Sequence, residues 1–141
     1  MGIAEDKLEI MELISRYSHA FDGGDADSCT ALFTDDGILA ERAGRQDMVR
    51  GRGHKELKIH LSAEIAKRSG TQPRHHVRNT IFTEANTHRM VARTYYLATV
   101  VAGEGQLATV TGTGIFEDEV ARTLDGWRIK RRSIIPDPRI P

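Results

Sequence analysis

The stretch Thr71-Gln-Pro-Arg-His-His-Val-Arg-Asn-Thr80 marks the point where the chain changes its period. Before it, apolar residues recur every three to four positions; after it, Val, Ile, Thr and aromatic residues dominate runs that suit strands. Working upstream, Ile10, Leu13, Ile14, Tyr17 and Phe21 form one helical stripe. They predict an amphipathic helix over about residues 5–21, with Tyr17 pointing inward. Gly23-Gly24 ends that helix, and Asp25 is suited to cap a second, short one through about Phe33, which makes an αα-hairpin. Asp35-Asp36-Gly37 reads as a turn into a short strand from Ile38 to Glu41, with another near Asp47 to Gly51. Leu57, Leu61 and Ile65 lie four apart and predict a third helix from about Gly53 to Arg68, stopped by Ser69-Gly70 and Pro73.

Downstream, residues 74–84, 88–102, 106–119 and 126–135 read as four strands separated by Asn86, Gly103-Glu-Gly105 and Asp125-Gly126. Helices first and long antiparallel strands afterwards predict an α+β fold. In it a curved, mostly antiparallel sheet wraps around the N-terminal helices as a cone-shaped α+β barrel. The open mouth of such a cone is the expected place for a small-molecule pocket. No repeat, low-complexity segment or linker divides the sequence, so residues 1–141 read as one domain.

With 39% hydrophobic residues, a chain of 141 has the material for one ordinary core. Twenty basic residues balance twenty acidic ones, so no global field recruits polyanions and a nucleic-acid partner is not expected. Lys130-Arg131-Arg132 is the one basic triplet, and on a strand it reads as ordinary edge charges. Cys29 is alone, which excludes an intrachain disulfide and, without a signal-like N-terminus, points to a reducing cytoplasm. No apolar run approaches the roughly 20 residues that span a bilayer, so no membrane partner is expected either.

On the strand that starts at Arg74, His75, Val77, Asn79 and Ile81 share one face, and His76, Arg78 and Thr80 share the other. The first face is the more apolar, so it is predicted to line the cone, with His75 inside. Asp22 closes the first helix, where the dipole disfavours a carboxylate, and it lacks the capping job open to Asp25. Brought against His75, it would orient an imidazole that titrates near neutrality, a pair suited to proton transfer, with the Tyr17 phenol as a neutral donor. Each residue also has a plainer reading: a hydrogen-bonded core histidine, a solvated turn aspartate, and packing aromatics at Tyr17 and Tyr96. Neighbouring strand residues point apart, so His75 and His76 do not readily share a metal, and His54 and His60 lack the i, i+4 spacing of a helical ligand pair; no metal is expected. No Gly-rich phosphate loop opens a helix and no serine sits in a nucleophile elbow, so neither a nucleotide cofactor nor a nucleophilic triad is expected.

Taken in order, Ile14-Ser-Arg-Tyr-Ser-His-Ala-Phe-Asp-Gly-Gly-Asp25, Leu32-Phe-Thr-Asp-Asp-Gly37, Arg74-His-His-Val-Arg-Asn79 and Asp125-Gly-Trp-Arg-Ile129 resemble the SnoaL-like branch of the nuclear transport factor 2 superfamily. The resemblance covers nearly the whole chain. It implies an α+β cone with a deep pocket, assembled as a homodimer or homotrimer. It also implies kinship with dehydratases of the scytalone and bile-acid 7α types, which eliminate across a carbon–carbon bond with an Asp–His pair, and with steroid isomerases and polyketide cyclases. Carried onto this sequence, the pair falls on Asp22 and His75 and the assisting tyrosine on Tyr17; Phe21 stands where scytalone dehydratase has a tyrosine. Phe21, Asn79 and Tyr96 are the candidate substrate-binding residues. The expected function is a cofactor-independent lyase or isomerase, of dehydratase, isomerase or cyclase type, acting on a small apolar cyclic or aromatic metabolite. The alternative is a non-catalytic ligand-binding or accessory subunit with the same fold.

Overall fold

The structure, a computed structural model, describes residues 2–138. Helix α1 (Ile3–Asp22) turns Ile10, Leu13, Ile14 and Tyr17 to the core along the stripe read from the sequence. Helix α2 (Ala26–Ala31) starts at Asp25, whose carboxylate accepts the Ser28 backbone N–H at 2.9 Å and so satisfies a donor that the first turn leaves free. Helix α3 (Gly53–Ala66) buries Leu57 and Leu61 against β1 (Phe33–Ala43) and β2 (Gln46–Arg52). The remaining strands are β3 (Gln72–Ala85), β4 (Arg89–Val101), β5 (Thr109–Thr123) and β6 (Gly126–Pro136).

One curved sheet results, in the order β2-β1-β6-β5-β4-β3. Neighbours are antiparallel except β1 and β6, which run parallel. Strands β2 and β3 are its two edges, so the cone is open along one side and is not a closed barrel. Strand β1 begins at Phe33, ahead of the expected Ile38, because Phe33 already pairs with Ile129 of β6 before the register shifts. Strand β5 starts at Thr109 and runs on to Thr123, later at both ends than the expected 106–119, and it carries the acidic Glu117-Asp-Glu119 within it. Each of those charges has a partner: Glu117 meets Arg93, Glu119 meets Arg89, and Asp118 meets Arg132.

Leu39, Met90, Val120 and Ile129 from the sheet close on the α1 stripe and on Leu57 and Leu61, each burial contributing about 1.5–3 kcal/mol. Trp127 donates its indole N–H to Asp6 at 3.1 Å, and Arg122, lying over the indole, reaches the same carboxylate at 2.6 Å. These bonds tie the first turn of α1 to the β5–β6 hairpin and hold the Asp6 carboxyl below the ordinary carboxylate range.

The basic triplet departs from its reading as edge charges. Glu119 pairs with Arg131 and Val120 with Ile129, which leaves Lys130 as an extra residue in β6. That bulge sends Arg132, not Arg131, to the inner face after Ile129. Arg132 is fully buried, grips Asp118 with bonds of 2.7 and 2.9 Å, and lies 4.3 Å from the ring centres of both Tyr17 and Phe116. No helix among the described residues is long and apolar enough to cross a membrane.

Candidate active site

The last turn of α1 is pinned to the start of β3. The Gln72 side-chain amide donates to the Asp22 carbonyl at 3.1 Å, and Arg68 donates to the Phe21 carbonyl with its guanidinium 4.6 Å from the Phe21 ring centre. Held there, Asp22 is only 8% exposed. One of its oxygens accepts the His75 backbone N–H at 2.7 Å, and the other lies 2.6 Å from His75 Nδ1. An ionised carboxylate only accepts, so the Nδ1 of a neutral His75 carries the proton and Nε2 is left with a free lone pair. Phe21 meets the imidazole edge-on, ring centres 5.5 Å apart, which fixes the plane of the ring.

His75 lies on the wall of a cavity of about 380 Å³ inside the cone. Tyr17, Phe21, Leu39, Leu61, Tyr96, Phe116 and Ile134 form the apolar part of that wall. Burial pushes the Tyr17 phenol above its ordinary pKa of 10, so it stays a neutral donor. Tyr96 stacks on Phe116 at 4.5 Å, and desolvation raises its phenol in the same direction. The stack needs glycine at 114 on β5, where a Cβ would stand 2.6 Å from the Tyr96 ring.

Asp22, His75, Tyr17, Phe21 and Tyr96 are thus brought together, and Asn79 is not. His76 points to the outer face, its Nε2 3.2 Å from Thr99 Oγ1. Alternation carries Asn79 and Ile81 inward with His75, but β3 pairs Arg78 with Tyr95 and Ile81 with Arg93, so two residues of β3 face one of β4. Asn79 takes up the extra length with φ at 57°, a conformation that asparagine tolerates better than most residues. Its side chain is exposed, Ile81 is 61% exposed, and Thr80 takes the inward place and bonds the buried Thr94 hydroxyl at 3.0 Å.

Several lining residues were not singled out in the sequence. Ser18, one turn before Asp22, has a buried hydroxyl with no partner among the described residues. His60 and Glu64 of α3 and Lys67 just after it line the cavity, with Glu41 and Arg50, which bond each other at 3.1 Å between β1 and β2. Two of them carry a signal in the sequence: His60 and Glu64 fall on the helical stripe of Leu57 and Leu61, one turn apart. Among the described residues no group of three or more His, Cys, Asp or Glu side chains is placed to hold a metal ion.

No curated protein matches the chain. Among solved structures it is similar to a protein of unknown function with a cystatin-like fold from Nostoc punctiforme, at 29% identity and TM-score 0.77, over 98% of this chain and 96% of that one. It is also similar to Aln2 from a Streptomyces species, at 24% identity and TM-score 0.82, over 94% and 91% of the two chains. A third likeness is to a Catenulispora acidiphila protein in complex with S-DNPA, at 24% identity and TM-score 0.79, over 95% of each chain. The last two likenesses concern the fold alone. The SnoaL-like domain model matches residues 3–133, helices and sheet together, and the chain therefore belongs to the SnoaL-like domain family.

Proposed function

We propose that the protein is a cofactor-independent lyase or isomerase that moves a proton on a small, apolar cyclic or aromatic metabolite. The observation that carries this reading is the 2.6 Å contact between Asp22 and His75 Nδ1 on the wall of the cavity. The family includes polyketide cyclases, isomerases and dehydratases, and a fold neighbour holds a small molecule. His75 Nε2 takes the proton from a carbon next to a carbonyl, and Asp22 stabilises the imidazolium that forms. Tyr17 donates to the oxygen on which negative charge develops, in a largely apolar wall where that bond is strong. The imidazolium then returns the proton at another carbon, which isomerises the substrate, or to a departing hydroxyl, which dehydrates it. In a cyclisation the carbanion attacks a second carbonyl instead. The same reading gives the protein a homodimer or homotrimer assembly through the outer face of its sheet.

All three reactions begin with loss of a C–H proton, so one experiment covers them. A panel of cyclic β-hydroxy ketones and enones, incubated with the protein in heavy water, is followed by NMR for deuterium uptake next to the carbonyl. Wild type is expected to exchange at least one member. His75→Gln should lose about 100-fold or more of that rate, and His76→Gln should keep it. Equal binding by wild type and His75→Gln with exchange by neither would favour a ligand-binding or accessory role instead.

A further inference from the structure

The cavity is bounded by both edges of the sheet. Edge β3, with the end of α1, supplies His75 and Asp22; edge β2, with α3, supplies Arg50, His60, Glu64 and Lys67, and Glu41 stands beside them on β1. A molecule held at His75 therefore has a second, polar wall to meet. The charges of that wall are closed on themselves: Arg50 bonds Glu41 at 3.1 Å and Lys67 bonds Glu64 at 2.6 Å. Neither cation is left unopposed to receive an anion, and Asp22 adds a negative charge behind His75.

His60 differs from its neighbours. Among the described residues, His54, His75 and His76 each have a hydrogen-bond partner for a ring nitrogen; His19, His60 and His88 have none, and of these three only His60 is half-buried and on the cavity wall. Desolvation lowers its pKa from the ordinary 6.5, the nearby Glu64 and Arg50 acting in opposite directions, so the ring is neutral at pH 7 and both donates and accepts.

We propose that His60 is a specificity-determining residue that hydrogen-bonds a neutral hydroxyl or carbonyl group at the far end of the ligand, so that the cavity selects uncharged oxygenated ring systems over ring carboxylates. This deepens the function proposed above and rests on the same cavity. It does not need the cavity to be catalytic. A hydroxyl there bonds a ring nitrogen that no protein group among the described residues occupies, exchanging it for water, whereas a carboxylate would have to break an existing ion pair and share the space with Asp22.

Binding at neutral pH of 2-naphthol, naphthalene-2,6-diol and 2-naphthoate, measured by calorimetry on the full chain, tests this independently of turnover. Wild type is expected to bind the diol about three- to tenfold more tightly than the mono-ol, the value of one net hydrogen bond, and to bind the naphthoate most weakly. His60→Leu should erase the preference for the diol without weakening the mono-ol, and His60→Gln, which retains a donor and an acceptor, should restore part of it. His75→Gln should slow deuterium exchange by about 100-fold or more and leave the order of affinities unchanged, so loss of catalysis and loss of selection are separate results. A diol preference that survives His60→Leu, a naphthoate that binds most tightly, or no saturable binding of the three would each overturn the proposal.

Discussion

Arg132 and Asp118 form a charge pair with no exposed side-chain surface, directly behind Tyr17 and Phe116 of the cavity wall. Their attraction offsets the cost of removing both from water only while both are present. Asp118→Asn is therefore expected to cost about 3–5 kcal/mol in urea unfolding, because it leaves a buried guanidinium that already has one nitrogen without a partner. Arg132→Met combined with Asp118→Leu should recover most of that loss. A cost below about 1 kcal/mol for the single change would mean that the pair is not held as the buried geometry requires. The contrast with Asp22 and His75 shows what a residue pattern conveys. Asp22 stood out because a carboxylate at a helix C-terminus has no local reason to be there, and His75 because the residues flanking it fix its face. Arg132 gave no such sign, since its place depends on a single extra residue, Lys130, that only pairing with β5 reveals.

The same physics governs the elements. Helix limits were legible because their causes are local: the Asp25 cap, the Gly23-Gly24 stop and the spacing of Leu57 and Leu61. Strand register is set across the sheet, and alternation failed at Asn79, where β3 gains a residue over β4. That bulge has a function in the fold. It lets His75 and Val77 face inward in one half of the strand and Thr80 in the other, so the edge bends around the cavity. The backbone at Asn79, with φ at 57°, is one that a β-branched side chain resists. Asn79→Val is expected to destabilise the protein by about 1–2 kcal/mol, and Asn79→Gly to stay within about 0.5 kcal/mol of wild type, by thermal or urea unfolding. If valine is tolerated as well as glycine, the left-handed turn is not what holds the bulge.

For the whole molecule, two layers leave one side bare. The helices cover the inner face of the sheet, while the outer face carries Tyr95 at 58% exposed, Leu97 at 37% and Ile81, with Ile115 opposite Tyr95 and Thr113 opposite Leu97. Ion pairs on the same face, Arg93–Glu117 and Arg89–Glu119, lie along one side of this patch. An apolar centre with charged surroundings is how protein interfaces are built, and a specific one needs about 1,000 Å² or more in total. The proposed homodimer or homotrimer should therefore appear by light scattering at micromolar concentration. Tyr95→Glu, which places a charge at the centre of the patch, should shift the protein to monomer. The neighbouring Tyr96 points into the cavity, so ligand binding should survive the change if no partner residue completes the site. The number of copies depends on how the curved faces meet, which no local pattern in the sequence displays. A wild type that remains monomeric under these conditions would refute assembly through the sheet and leave the patch open to a different partner.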